Sequence, residues 1–382
     1  MTRAPLFLAA ALVALSATSV VAAPKPKTAA KAAAAPVTNA APGDAYYKAG
    51  QDALAKALTV NPRTGKAKNV ILFLGDGMGI STVTAGRIYD GQLKGVDGES
   101  NSLAFEKLSY SALSKTYSHD TQVTDSAAGI TAIMTGVKTR NKIIGLTGAA
   151  IGEKCETEKG NGVDTLAELA KARGKAAGVV TTTRVTHATP AGAYAHTAYR
   201  DWEGDGDMPA EALKAGCKDI ARQLVEAPAG IRLDVALGGG RSRFLPEAAG
   251  GKRGDGRDLT AEWRKTMGAA YVTTADQLQA LDPAATGPVL GLFANEHLPY
   301  EVDRPVSGQG VPSLAAMTLK AIEILKQNPN GYVLLVEGGR IDMASHLGMA
   351  GRTVTETVAF ADAVKAALGV VDLKDTLVIV TA

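Results

Sequence analysis

Three acidic side chains and one histidine in this sequence have the types and spacing of cation ligands. Asp76 follows an apolar run within the glycine-rich sequence GDGMG, and Glu337 follows a second apolar run. Asp342 and His346 are spaced i, i+4, so both project from one face of a helical turn. A carboxylate and an imidazole at this spacing suit zinc, whereas an oxygen corner with Glu337 suits magnesium. The alternatives are a plain turn at Asp76, a helix-capping Asp342 and a surface His346.

A serine in the setting of a nucleophile or a phosphate ligand lies at Ser126. The sequence VTDSAAG at 123–129 precedes small and apolar residues at helical spacing, which predicts that Ser126 lies at a helix N-terminus. The helix dipole and the free backbone N–H groups at such a position favour an alkoxide or a phosphate. The alternative is an ordinary N-cap serine.

A segment with basic and hydroxyl side chains follows another apolar run, at 178–183. It contains Arg184, His187 and Thr189, and Arg200 lies further along the chain. The planar guanidinium fork of an arginine matches two phosphate oxygens. Taken alone, Arg200 would be an ordinary solvated surface arginine.

Short apolar, β-branched runs alternate along the chain with longer segments of helical period, which predicts an α/β fold. Continuous apolar strands separated by amphipathic helices indicate a mostly parallel central sheet sandwiched by helices, with ligands beyond the carboxyl ends of the strands. The glycine- and arginine-rich stretch 250–258 is predicted to be a surface loop, not a domain boundary. The predicted strands are 69–74, 178–183, 233–237, 289–293, 332–336 and 376–381, and the predicted helices include 163–172, 312–327 and 353–368.

The charge distribution separates the N-terminus from the rest of this chain of 382 residues. The formal charge is +3, from 41 Lys+Arg and 38 Asp+Glu, but four of the cationic residues precede residue 44, where no acidic residue occurs. Residues 44–382 therefore carry 37 minus 38, or −1. No basic field favours nucleic acid or anionic lipid as a partner.

Residues 1–23 have the order of a secretory signal peptide: Arg3, then an apolar segment from Leu6 to Val21, then two alanines. We expect cleavage near Ala23, with a single membrane anchor as the alternative. Residues 24–43 are rich in Ala, Pro and Lys. They are predicted to be a flexible linker because they cannot bury enough surface to offset their ordering entropy. The folded domain is predicted to span 44–382.

Export also bears on the cysteines. Cys155 and Cys217 are the only two in the chain, and an oxidising compartment favours a disulfide between them. Two buried free thiols are the alternative.

Taken together, these motifs resemble those of the alkaline phosphatase family, and its animal-type branch in particular, over nearly all of residues 44–382. The resemblance implies a three-layer α/β fold, a homodimer, two Zn²⁺ and one Mg²⁺ per subunit, and hydrolysis of phosphate monoesters through a phosphoserine. The paired cysteines are similar to the disulfide of the animal-type branch. The matching sequences are GDGMG (75–79), VTDSAAGITAIMTGVKT (123–139), THATP (186–190), AHTAYRDW (195–202) and VEGGRIDMASH (336–346).

The resemblance implies roles for the residues that would contact or orient the phosphate. Ser126 would be the nucleophile that forms the phosphoserine. Arg200 would hold the phosphate, and Asp125, beside the nucleophile, would orient Arg200. His187 stands where family members have Asp or His next to the magnesium.

The resemblance also implies a set of metal ligands. Asp76 would bridge the magnesium and one zinc, which Ser126 also contacts. The remaining matches are Thr189 and Glu337 for the magnesium, and Asp342 and His346 for the other zinc.

The sequence departs from the family pattern at two places. Phe293-Ala294 stands where animal members carry an acidic calcium ligand, so the resemblance gives no support for calcium. The last predicted strand is followed in the family by an Asp-His pair for one zinc, and a later His completes the other zinc site, but this chain ends at Ala382. We therefore expect a C-terminally truncated sequence whose reading frame continues with Asp-His. We expect the chain as given to be inactive or impaired.

Two other functions remain open. The first is a sulfatase or phosphodiesterase of the same superfamily, although a sulfatase needs a residue converted to formylglycine and the sequence around Ser126 lacks that signature. The second is a non-catalytic metal- or phosphate-binding protein, which is favoured if the short chain is the natural product. The leading expectation is a periplasmic or secreted phosphomonoesterase with no membrane span after signal cleavage.

Overall fold

The computed structural model describes residues 45–60, 65–265, 268–308 and 310–382. The predicted signal peptide (1–23) and linker (24–43) lie outside these residues. The chain divides into two compact units, whose described residues are 45–60 in the first and 65–265, 268–308 and 310–382 in the second. The described part of the first unit contains one helix, Ala45–Leu58, none of whose residues is buried. Among the described residues, no helix has both the length and the apolar character to cross a membrane.

The second unit is built around one sheet of seven strands, all paired in parallel. The strands are β1 (Asn69–Leu74), β2 (Ala176–Arg184), β3 (Val235–Gly239), β4 (Ala270–Val272), β5 (Val289–Leu292), β6 (Tyr332–Glu337) and β7 (Thr376–Thr381). Their order across the sheet is β4-β5-β3-β2-β6-β1-β7. The predicted parallel sheet is confirmed, and β4 is the one strand that was not predicted, because three residues are too short to form a recognisable apolar run.

Helices of the second unit cover both faces of this sheet, which confirms the three-layer α/β fold. The helices of the described chain are α1 (Ala45–Leu58), α2 (Ile80–Leu93), α3 (Ser126–Thr135), α4 (Leu166–Lys171), α5 (Ala188–Ala191), α6 (Ala210–Ala215), α7 (Ile220–Glu226), α8 (Leu259–Arg264), α9 (Ala275–Gln279), α10 (Leu314–Leu325), α11 (Arg340–His346) and α12 (Ala350–Leu368), with short 3-10 helices at Ala104–Lys107, Cys155–Thr157, Asp205–Asp207, Arg241–Arg243 and Glu247–Ala249. Successive residues of β1 point to opposite faces. Ile71 and Phe73 pack with α10 and α12, whereas Leu72 and Leu74 belong to the core that includes α3, α4, α7 and α8.

A third, smaller core surrounds the predicted disulfide, which the structure confirms. Cys155 and Cys217 are bonded, with their Cα atoms 6.0 Å apart. The apolar residues packed with them include Ile143, Leu146 and Trp202. This core lies on the segment that carries Arg200, so the disulfide supports the chain around a predicted phosphate ligand.

The strand register aligns the ends of β1 and β6 and places both beside the last part of β2. Leu74 at the end of β1 is paired with Glu337 at the end of β6, and Glu337 is paired on its other side with Thr181 of β2. The loops that leave β1 and β6 therefore begin side by side, and β2 continues three residues further, to Arg184, before its own loop begins at the same edge of the sheet. These are the loops that carry most of the predicted site residues.

Candidate active site

Two buried carboxylates form the base of the candidate site. Asp76 lies two residues beyond β1 and is 9% exposed, whereas Glu337 is the last residue of β6 and is fully buried. Burial raises the pKa of both groups. Repulsion from Asp342 raises the pKa of Asp76 further, and repulsion from Asp76 does the same for Glu337. Two buried acids held this close are stabilised by a compensating positive charge.

Two threonine hydroxyls donate to the same carboxylate oxygen of Glu337. Thr181 donates to Glu337 Oε2, and Thr183 Oγ1 donates to the same oxygen over 3.1 Å. The hydroxyl of Thr189, which is 1% exposed, also acts to lower the pKa of Glu337. Oε1 of Glu337 is buried and has no hydrogen-bond partner of normal geometry among the described residues.

Thr181 and Thr183 were not recognised from the sequence as parts of the site. Both lie on β2, two residues apart, so their side chains point to the same face of the sheet as each other. Thr181 is paired with Glu337 across the strands. The pairing of β2 with β6 would have identified them, but strand order cannot be read from the local pattern.

Ser126 lies at the start of α3, as predicted, and its hydroxyl faces Asp76. Ser126 Oγ donates to the two carboxylate oxygens of Asp76 over 3.1 and 2.9 Å. The alternative that Ser126 is merely the N-cap is wrong, because Asp125 occupies that position and accepts a hydrogen bond of 3.0 Å from the Ala128 N–H. The Ser126 side chain is therefore free of a capping role and available for chemistry.

Arg200 is held between two side chains of the site. Its Nη1 donates to Asp125 Oδ2 over 3.0 Å, a contact through which Asp125 could orient it, and its Nη2 lies 3.0 Å from His187 Nε2. Burial lowers the pKa of His187, and the positive charges of Arg200 and Arg184 lower it further. His187 is therefore a neutral imidazole that accepts from Arg200 at Nε2 and carries its proton on Nδ1.

The residues brought together here could bind a cation. Ligand atoms of Asp76, His187 and Glu337 lie within 4.8 Å of one another, the one such group found among the described residues. The unpartnered Oε1 of Glu337 and the raised pKa values of both acids fit a divalent cation, which would satisfy that oxygen and relieve the repulsion. While His187 Nε2 accepts from Arg200, its Nδ1 carries the proton and has no lone pair for a cation. His187 therefore lies next to the cation ligands without being one of them.

Asp342 and His346 form a separate pair at the edge of the site. Both lie on α11, and His346 Nε2 is 3.4 Å from Asp342 Oδ1, so the predicted i, i+4 pairing is present. Asp342 packs against Gly77, where a Cβ atom would come within 2.5 Å of Asp342 Oδ1 and where φ is +63°. His346 contributes no atom to the group around Asp76, and its side chain is 78% exposed.

A buried ion pair behind the site was also missed from the sequence. Arg184, the last residue of β2, donates through Nε to Glu203 Oε2 over 2.7 Å. The Thr186 hydroxyl donates to the same oxygen over 2.5 Å. His297 accepts from the Arg184 N–H over 3.2 Å, and its ring lies 5.4 Å from that of His187. These contacts tie the loop after β2 to the segment after Arg200.

The carboxyl edge of this parallel sheet thus carries a serine, an arginine and two buried acids. Such a set of residues is typical of hydrolases that use a bound cation. The family model described as alkaline phosphatase matches residues 67–382. The chain belongs to the alkaline phosphatase family.

Individual members of the family are similar to this chain over most of its length. It is 45% identical over 347 residues to the alkaline phosphatase of Gadus morhua, covering 87% of this chain and 72% of that protein. Against the tissue-nonspecific isozyme of Gallus gallus the identity is 46% over 331 residues, covering 83% of this chain and 63% of that protein. The chain thus spans less than two thirds of the length of the second relative.

Solved alkaline phosphatases share the fold. The crystal structure of the Thermus thermophilus enzyme aligns with a TM-score of 0.68 at 33% identity, covering 84% of this chain and 60% of that one. A histidine-to-aspartate variant of the enzyme from the Antarctic bacterium TAB5 aligns with a TM-score of 0.64 at 29% identity, covering 83% and 78%. That structure is described as having Mg bound in its M3 site.

Proposed function

We propose that the protein hydrolyses phosphate monoesters by forming a phosphoserine at Ser126. The observation that carries the proposal is the contact between Ser126 Oγ and the buried Asp76, at the start of a helix and one residue from the Asp125 that binds Arg200. A dianionic phosphate repels ordinary nucleophiles, and its uncatalysed hydrolysis is extremely slow. In this site, Ser126 is positioned as the nucleophile and Arg200 supplies positive charge next to it.

The chain's own residues have separate tasks in this reaction. Ser126 Oγ attacks phosphorus and gives up its proton, for which the Asp76 carboxylate is the adjacent acceptor, while the bond between phosphorus and the ester oxygen breaks and the alcohol leaves with that proton. Water then hydrolyses the phosphoserine, which regenerates Ser126 and releases inorganic phosphate. Arg200 donates one hydrogen bond from Nη1 to Asp125 and one from Nη2 to His187, and these two contacts fix the plane of its guanidinium. Its remaining N–H groups can bind the non-reacting phosphate oxygens. Because these contacts address only the phosphate, we expect broad specificity for the leaving alcohol.

We propose two Zn²⁺ and one Mg²⁺ as the cofactors. Asp76, Thr189 and Glu337 would hold the magnesium, Asp76 and Ser126 one zinc, and Asp342 and His346 the other. When bound, these ions would supply positive charge that lowers the pKa of the attacking hydroxyl and offsets the charge of the leaving alcohol. Two protein ligands are fewer than the three of an ordinary catalytic zinc.

We propose that the protein is exported to the periplasm or secreted, and that it acts as a homodimer. The disulfide between Cys155 and Cys217 supports an oxidising compartment. The homodimer rests on membership of the family alone.

The proposal is tested with p-nitrophenyl phosphate and the full gene product between pH 7 and 10. We expect turnover that a chelator abolishes and that Ser126→Ala reduces at least about 1,000-fold, because the nucleophile is lost. Ser313→Ala is the matched control, since Ser313 caps α10 through a hydrogen bond of 3.1 Å to the Ala316 N–H, far from the site in sequence. Turnover that survives both the chelator and Ser126→Ala would reject the proposal. Phosphate binding without turnover would favour a non-catalytic binding protein.

A further inference from the structure

His196 is a partly buried histidine that the proposed reaction does not use, although it lies four residues before Arg200. Its Nδ1 is 2.7 Å from the carbonyl oxygen of Gly145, and its Nε2 is 3.0 Å from Glu168 Oε1. A carbonyl and an ionised carboxylate can only accept hydrogen bonds. Both ring nitrogens must therefore donate, which requires the doubly protonated imidazolium.

The surroundings of His196 support this protonation state. Although burial lowers the pKa of His196, the hydrogen bond and charge of Glu168 raise it above its ordinary value, and Asp164 adds to this effect. Glu168 itself is kept ionised, because His196 and the backbone N–H of Thr165 overcome the effect of burial on its pKa. Glu158 is the third acid whose charge interacts with the ring. These three charged neighbours of His196 are all acidic.

The backbone around His196 is built for this contact. Gly145 has a φ of +65°, and a Cβ atom there would come within 2.7 Å of His196 Nδ1 and 2.3 Å of the Ala195 carbonyl oxygen. Gln223 accepts from the His196 N–H over 2.8 Å and donates to the His196 carbonyl over 3.1 Å. Only glycine allows the imidazole to approach the chain this closely.

The segment that contains Gly145 and the segment that contains His196 are also paired through their backbones, as far as Arg200. Ile144 and Thr197 form an antiparallel bridge, with N–H···O distances of 3.0 and 2.9 Å. The Arg200 N–H donates to the carbonyl of Lys142 over 2.7 Å, and Lys142 itself has a φ of +69°. Segments 142–145 and 196–200 are thus joined by backbone hydrogen bonds. The contacts of the His196 ring lie at one end of this paired stretch, and Arg200 lies at the other end.

We propose that the His196 imidazolium, clamped between Gly145 and Glu168, is a positioning residue for Arg200 and releases that arginine's segment when it loses its proton. Neutral His196 can donate from one nitrogen only, so one of the two contacts is lost. Because the folded-state pKa is raised, the stabilisation is complete below the unfolded-state pKa and disappears as the pH rises through the folded-state pKa. The link to phosphate rests on the proposed function, whereas the titration of the ring does not.

The first experiment is an NMR titration of the histidine side chains of the full chain, with the His196 resonance assigned by its loss in His196→Gln. We expect a pKa above the ordinary value of about 6.5. In Glu168→Gln, which keeps an oxygen acceptor but removes the charge, we expect the pKa of His196 to fall by about one unit or more. A pKa of about 6.5 or lower in the unmodified chain, or no change in Glu168→Gln, would overturn the proposal.

The second experiment measures the inhibition constant of inorganic phosphate from pH 6 to 10 in the unmodified protein, in His196→Gln and in the control His119→Gln, which alters an exposed histidine. We expect phosphate binding to weaken about threefold or more across the His196 transition, in the unmodified protein and the control but not in His196→Gln. An identical pH profile in all three proteins would reject the positioning role. Absence of phosphate binding at every pH would instead contradict the proposed function, with the NMR result unaffected.

Discussion

The protonation state of the buried Glu356 depends on the groups around it. Glu356 on α12 is 4% exposed and accepts a hydrogen bond of 2.5 Å from the Glu301 N–H. Burial raises its pKa to about 7, against the opposing effects of that hydrogen bond and of Arg340. At neutral pH this acid is therefore partly protonated in the folded state, whereas it is ionised in the unfolded chain.

Replacing Glu356 by Gln should therefore stabilise the protein at alkaline pH. Between pH 4.5 and about 7 the folded protein retains a proton that the unfolded chain has lost, so this group makes the free energy of unfolding fall as the pH rises. Above pH 7.5 we expect Glu356→Gln to be more stable than the unmodified protein by up to about 3 kcal/mol, and near pH 5 by much less. Urea unfolding at the two pH values measures the difference.

Glu211→Gln is the matched control, because Glu211 is an exposed acid on α6. It should change the stability little at either pH. A Glu356→Gln variant that is no more stable at pH 8 than at pH 5, relative to the unmodified chain, would contradict the assignment.

The residue types of the site could be predicted, but several of their partners could not. Asp76, Ser126 and Glu337 stand out because each places a reactive side chain at or just beyond the boundary of a regular element. Thr181 and Glu203 do not, because their importance comes from contacts with residues 156 and 19 positions away in sequence. Such contacts depend on the order of the strands and the path of the loops.

At the level of elements, the N-terminus of α3 joins helix stability to the phosphate site. Asp125 uses Oδ1 to cap the helix and Oδ2 to bind Arg200. One carboxylate thus fixes both the helix that begins at Ser126 and the orientation of the arginine.

Two substitutions at Asp125 separate these tasks. Asp125→Asn keeps a good capping side chain, so we expect nearly unchanged stability but about tenfold weaker phosphate inhibition, because the charged partner of Arg200 is lost. Asp125→Ala should show the same weakening and also lose about 1 kcal/mol of stability. Thermal unfolding and phosphate inhibition constants measure both effects. Equal stability of the two variants, or unchanged phosphate affinity in both, would contradict this division.

The elements themselves were largely predictable from the apolar pattern. β1 and β7 have the predicted bounds, and α10 lies within the predicted helix 312–327. The stretch 250–258 was predicted as a surface loop, yet the Arg253 side chain within it is fully buried and bound to Asp219 over 3.1 Å. That burial could not be inferred, because a local pattern does not reveal an acidic partner 34 positions away.

At the level of the whole molecule, the disulfide joins residues separated by 62 positions next to the segment of Arg200. In the chain-entropy description, a crosslink over such a loop stabilises the fold by about 4 kcal/mol, chiefly by restricting the unfolded chain. If the disulfide were absent, the packing of the small core around Trp202 would remain to stabilise the position of this segment.

We expect the double substitution of Cys155 and Cys217 by Ser to lower the free energy of unfolding by as much as about 4 kcal/mol. Denaturant unfolding of the oxidised protein and the double variant measures the loss. Dithiothreitol should destabilise the unmodified protein and leave the double variant unaffected. Equal stability of the two proteins under oxidising conditions would contradict a structural role for the bond.

The central claim is that Ser126 becomes phosphorylated during the reaction, and trapping that intermediate tests it most directly. The full gene product is mixed with a phosphate monoester and its metals, quenched in acid and mapped by mass spectrometry. We expect the mass of one phosphoryl group on the peptide that contains Ser126, and none in Ser126→Ala. A phosphoryl group trapped on another residue, or one that persists in Ser126→Ala, would contradict the claim.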